Sequence, residues 1–147
     1  MDVKIMFVVF LLVLTGCQEI KPIRSGNDFP DTMTHIQNNL TGKGYRIIRI
    51  QALDQGLARA GYDINRYRII FFGKAEDFVH IQKTHPGFTV FLPLSVTVYE
   101  DEGGTYMQSM PFTAMKDLAL DKKQVHMISR WRADIHTSIN NAAKPLY

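Results

Sequence analysis

A single cysteine, Cys17, stands among the 147 residues. One thiol closes no disulfide within the chain, which leaves an intermolecular bridge, a reactive thiol or a modified one. Long apolar runs are missing as well. A membrane-spanning helix needs about 20 apolar residues, and the clearest run here, residues 5–14, has ten. Strong charge is also absent, with 17 Lys and Arg against 14 Asp and Glu and a net charge of +3. The bases Arg46, Arg49, Arg59, Arg66, Arg68, Lys122, Lys123, Arg130 and Arg132 are scattered along the chain. That argues against the one-sided basic patch of a nucleic-acid binder, so no nucleic-acid partner is expected. A mild attraction to anionic surfaces is the most that follows. The chain carries no nucleophile elbow, no zincin motif, no phosphate loop and no redox cysteine pair. No catalytic residue, cofactor or metal ligand is therefore assigned.

What is present begins with Lys4 and the run "IMFVVFLLVL". Its length suits the apolar region of a secretory signal. Thr15 and Gly16 supply small residues beside a cleavage site, and Cys17 follows directly. The segment Leu14-Thr15-Gly16-Cys17 resembles the lipobox of bacterial lipoproteins. The resemblance implies cleavage between Gly16 and Cys17, a diacylglycerol on the Cys17 thiol and an acyl chain on its new amino group. One chain holds a protein only marginally, whereas two or three hold it stably. Residue 18 is Gln, where an Asp often retains such proteins at the inner membrane. The expected location is the outer membrane, facing the periplasm. A membrane-spanning or buried helix with an inert buried cysteine is the bland alternative.

The expected organisation is a signal peptide over 1–16, a lipidated N-terminus and tether over 17–30, and one domain over 31–147. The tether reading rests on two prolines, a glycine and small polar residues in "QEIKPIRSGNDFP". An apolar content of 46% and a charged content of 21% suit a globular fold rather than disorder.

Inside the domain, Asp31 is expected to cap a helix that carries Met33, Ile36 and Leu40 on one face and ends at Gly42 or Gly44. Strands are expected at 45–50 and 67–73, with a short helix or irregular crossover at 52–62 between them. A helix over 74–84 turns Phe78, Ile81 and Val79 inward and stops at "HPG". Phe88, Val90, Leu92, Leu94, Val96 and Val98 keep strict period two, which predicts one long strand over 88–100 with a bulge or an edge position at Pro93. "EDEGG" is a turn into a return strand. Asp121 caps a last helix over 121–142 that buries Val125, Ile128, Trp131, Ile135 and Ile139. The class is α+β: two layers, a mainly antiparallel sheet of about four strands, and helices packed on one face.

The segments "AGYDINRYRIIFFGKAED" and "FLPLSVTVYEDEGGTYMQSM" resemble the family called domain of unknown function 302. The family shows a strand ending in Phe-Gly, an apolar-Leu-Pro-Leu strand, and Tyr-Glu-Asp-x-x-Gly into a return strand. The likeness covers roughly residues 30–112 and implies a small two-layer α+β fold with plausible dimers. Two departures stand out. Gln51-Ala52-Leu53 replaces an Ile-Asp-His step, and Lys74-Ala75 replaces Asn-Pro. No polar site is carried over from the family.

Five histidines, His35, His80, His85, His126 and His136, lack the spacing of three or four that a helical metal pair needs. Glu100, Asp101 and Glu102 sit before two glycines and read as a hairpin turn rather than a calcium loop. The strand faces opposite the apolar stripes show Tyr45, Ile47, Arg49, Tyr67, Phe91, Tyr99 and Tyr106. Aromatic and arginine side chains on a sheet are enriched at interfaces, unless the last helix with Trp131 covers them. The expectation is an envelope lipoprotein held by acylated Cys17, acting as a non-catalytic interaction or ligand-binding module. Its partner would be a second copy or another envelope protein. An enzyme with an unrecognised polar site between sheet and helices is the alternative. Convergence of Asp54, Arg68, Glu76 and His80 in one pocket would favour it.

Overall fold

Alternation of apolar and polar residues drives the central strands, because successive side chains point to opposite faces. A computed structural model of the chain describes residues 21–116, 118 and 121–146. The elements are β1 (Ile23–Arg24), α1 (Phe29–Gly42), β2 (Arg46–Ala52), α2 (Leu53–Arg59), β3 (Tyr67–Gly73), α3 (Ala75–Thr84), a 3-10 turn (Pro86–Phe91), β4 (Leu94–Asp101), β5 (Gly104–Ser109), α4 (Thr113–Lys116) and α5 (Lys122–Ala143). The strands form one sheet in the order β1-β5-β4-β3-β2, with every pair antiparallel. Helices α1 and α5 pack on one face, which makes the fold a two-layer α+β as expected. Among the described residues no helix is long and apolar enough to cross a membrane. Gly16, Cys17 and the apolar run before them lie outside the described residues.

The inner face of the sheet carries Ile70 and Phe72 of β3, Leu94, Val96 and Val98 of β4, and Met107 of β5, all fully buried. Trp131 of α5 is also fully buried and stacks on Phe88, ring centroids 6.5 Å apart. Burying side chains of this size contributes roughly 1.5–3 kcal/mol each. Tyr45 meets Phe72 edge to face at 5.4 Å.

Four expectations change. The first concerns the stretch assigned to a tether. Ile23–Arg24 pairs with Met107 and Tyr106 as β1, and α1 starts at Phe29. The fold therefore takes in the stretch from Ile23 onward and has five strands rather than about four. Secondly, Asp28 caps α1 by accepting from the Asp31 backbone N–H at 2.9 Å. Asp31 instead lies in the first turn, where its charge favours the helix dipole. Thirdly, the long strand over 88–100 is cut. Pro93 cannot donate to a ladder, and β4 lies between β3 and β5, so it starts after Pro93. Residues before it form the 3-10 turn, and Val90 is 77% exposed. Finally, the buried stripes shift. On α5 Val125 is exposed, while Gln124, Met127, Ser138 and Ala142 join Ile128, Trp131, Ile135 and Ile139 inside. On α3 Val79 is exposed and Asp77 is buried with Ile81.

Other signals stand where they were read. Asp121 accepts from the Gln124 backbone N–H at 2.9 Å and caps α5. Gly44 ends α1 with a φ of 82°, and Gly103 turns the β4–β5 hairpin with a φ of 78°. Gly73, at the Phe-Gly step, has the Phe78 ring packed where a Cβ would stand.

Candidate functional site

Among the described residues, the core helices α1 and α5 lie on the opposite face of the sheet from Tyr67, Tyr99 and Tyr106. Register places Tyr67 of β3 beside Tyr99 of β4, and Tyr99 beside Tyr106 of β5. The three rings form a ladder, with centroids 5.7 Å apart at both steps and planes within 24° and 22° of parallel. The next rung is Ile69, Thr97 and Gln108, and Phe71 pairs with Ser95 beyond it. All of these residues are half-buried, and Arg49, beside Phe71, is exposed. Offset aromatic stacks contribute about 0.5–1.5 kcal/mol each beyond area burial, so the ladder braces its own surface. Burial first, then the nearby Asp101 and the flanking tyrosines, push the Tyr99 hydroxyl up.

Of the residues expected on this face, Tyr67, Tyr99, Tyr106 and Arg49 belong to it. Tyr45 is buried in the core, and Ile47 and Phe91 pack against that core. Trp131 lies under the inner face with α5, so the last helix does not cover the tyrosines.

The four polar residues that would have marked a pocket do not converge, and only Arg68 and Asp54 meet. Arg68 donates to Asp54 in a half-buried ion pair, and Glu76 is exposed. His80 lies near Lys123, Nδ1 3.5 Å from Nζ. The strongest polar cluster is a different one. Asp77 accepts from Arg130 with both carboxylate oxygens at 2.6 Å and from the Trp131 indole N–H at 2.7 Å. It ties α3 to α5 beneath the sheet. Nearby, the Tyr45 hydroxyl donates to Asp134 at 2.9 Å, and burial followed by this bond pushes its ionisation well above the ordinary range. Asp77 is paired with Arg130 and Asp134 with Lys43, while the buried Arg130 Nε has no hydrogen-bond partner, and the cluster works as a structural clamp. Asp77 and Arg130 are 53 residues apart, so no local pattern announces the pair.

Beside the β4–β5 hairpin an open groove of about 600 Å³ is lined by Arg24, Asn27, Asp28, Asn65, Glu100 and Asp101, among others. Glu100 is held by Arg66 through two bonds of 2.7 and 2.8 Å, and Arg66 lies over the Phe29 ring at 5.0 Å. Among the described residues, no three His, Cys, Asp or Glu side chains are grouped to hold a metal ion. His85 lies 3.4 Å from Asp121, and His136 contacts Asn140 on the same helix.

Comparison with solved structures finds a similar chain. The crystal structure of an uncharacterized conserved DUF302 protein from Bacillus stearothermophilus aligns with a TM-score of 0.76 at 12% identity, covering 87% of this chain and all of that one. At that identity the likeness is one of fold. The comparison with curated proteins finds no match. The family model described as Domain of unknown function DUF302 matches residues 22–143. Its match starts one residue before β1 and ends with α5, so it includes the strand drawn from the expected tether. With most of its length matched from the first strand to the last helix, the chain belongs to the DUF302 family.

Proposed function

We propose that this protein is an envelope lipoprotein, anchored through acylated Cys17, whose domain is a non-catalytic interaction module. The uncovered tyrosine face carries the reading. A sheet face bearing three tyrosines, Ile69, Phe71 and Arg49, with Thr97 and Gln108 between them, has the composition of a protein interface. Its partner is a protein, either a second copy or another envelope component. The separation of Glu76 and His80 from the Asp54–Arg68 pair supports a binding rather than a catalytic role, since enzymes converge such groups in one cleft. The lipobox-like Leu14-Thr15-Gly16-Cys17 supports the anchor.

The test fractionates cells that produce the full chain or Cys17→Ser. The native chain should sediment with the envelope at its processed mass. Cys17→Ser should be released or remain unprocessed. A Cys17→Ser protein that still fractionates as a mature membrane protein would end the anchor reading.

A further inference from the structure

We infer that the end of the sheet where the chain enters the domain rests on the phospholipid surface of the anchoring bilayer. The inference builds on the acylation of Cys17, and its test separates the two.

The length of the connection carries it. Five residues, 18–22, separate Cys17 from Ile23 at the start of β1. Fully extended, they span at most about 18 Å. A tether reaching to residue 30 would have let the domain turn freely, and β1 removes most of that freedom. Direction follows from register. Ile23 lies beside Met107 and Arg24 beside Tyr106, antiparallel. The chain before Ile23 therefore runs toward the Ser109 end of β5. At that same end β4 begins at Leu94, β3 finishes at Gly73 and β2 begins at Arg46. The β4–β5 hairpin is at the far end, about 25 Å away along an eight-residue strand.

The two ends differ in chemistry as a bilayer contact requires. Val90, on the 3-10 turn leading into β4, is the most exposed large apolar side chain among the described residues, and Leu118, between β5 and α5, is 46% exposed. Lys21, Arg46 and Lys122 are exposed at the entry end, with Lys123 beside His80. The acids there are Asp121, paired with His85, the exposed Glu76, the clamped Asp77, and Asp134, held by Tyr45 and by Lys43 at 3.6 Å. The far end presents Asp28, Glu100, Asp101 and Glu102, with Arg24 beside them and Arg66 paired to Glu100, and the loop before β3 exposes Tyr62 and Ile64 there. Exposed apolar side chains occur at both ends, so charge separates them: the cations of the entry end favour a headgroup layer that contains anionic lipid, and the excess of carboxylates at the far end disfavours it. This pose also leaves the tyrosine face upright and open to a protein.

The test uses the full acylated protein in vesicles of mixed phosphatidylethanolamine and phosphatidylglycerol that contain headgroup spin-labelled lipid. Acylated Cys17 has no free thiol, so Val90→Cys and Glu102→Cys each accept one fluorophore. The dye at 90 should be quenched at least about three times as strongly as the dye at 102, given their separation along the strands. Lys21→Glu with Arg46→Glu should lower the quenching at 90 while flotation persists. Equal quenching, or stronger quenching at 102, in protein that floats with the vesicles overturns the inference and leaves the anchor standing. Quenching at 90 that disappears as protein density rises assigns that end to a second copy and also overturns it. Protein that lacks the acyl mass and does not float removes the anchor, and the inference with it.

Discussion

The two faces of the sheet use the same strands for opposite ends. Inside, Ile70, Phe72, Val96, Val98 and Met107 join Trp131 and the helices in one buried core. Outside, Tyr67, Tyr99 and Tyr106 stack on one another, on the face away from α1 and α5. A period-two sequence encodes both faces at once, and only the helices decide which one is sealed. The difference teaches that stability and recognition are separated here by a single Cβ alternation.

Mutations should break that comparison in order of burial. Trp131→Ala removes the largest buried side chain and the indole N–H held by Asp77. A loss of about 3–5 kcal/mol is expected, read from denaturant midpoints. Tyr99→Ala removes two stacked contacts on the outer face. Its cost should be about 1–2 kcal/mol, with a larger effect on partner binding than on folding. A Tyr99→Ala protein as unstable as Trp131→Ala would mean that the outer face is core. Asp28→Ala removes the cap of α1 and should cost about 1 kcal/mol, measured in the same way and without effect on either face.

The alkaline limb gives a finer separation. Tyr45 is held neutral by burial and its bond to Asp134. Its folded ionisation is raised above the ordinary 10.0, so its contribution is fully present below that value and declines as pH rises above it. Stability should fall above about pH 10, where unfolded tyrosines ionise. Tyr45→Phe should flatten that fall. Urea midpoints measured across the alkaline range decide this.

Local signals in the sequence announce the local parts of the fold. Asp121 before an amphipathic run announces α5, and Phe-Gly ending an apolar strand announces β3, with the Phe78 ring over Gly73 as its physical basis. The three tyrosines of the outer face are legible from alternation alone. Their common row depends on strand register, which alternation does not set between strands 32 and 39 residues apart. Non-local features stay hidden. β1 is two residues long and pairs more than 80 residues away, so no periodicity can reveal it. The 3-10 turn mimics a strand because Phe88, Val90 and Leu92 alternate by chance with β4, and Pro93 is the one residue that breaks the run. The Asp77–Arg130–Trp131 clamp exists only after α3 folds under the sheet.

Site-specific photo-crosslinking in intact envelopes tests the central claim most directly. A photoreactive residue replaces Tyr99 on the uncovered face, or Arg132 on the exposed side of α5. The tyrosine-face account predicts a discrete crosslinked protein from position 99, either a dimer or a single partner, and none from position 132. Equal crosslinking at both positions, or a product from 132 alone, would contradict it.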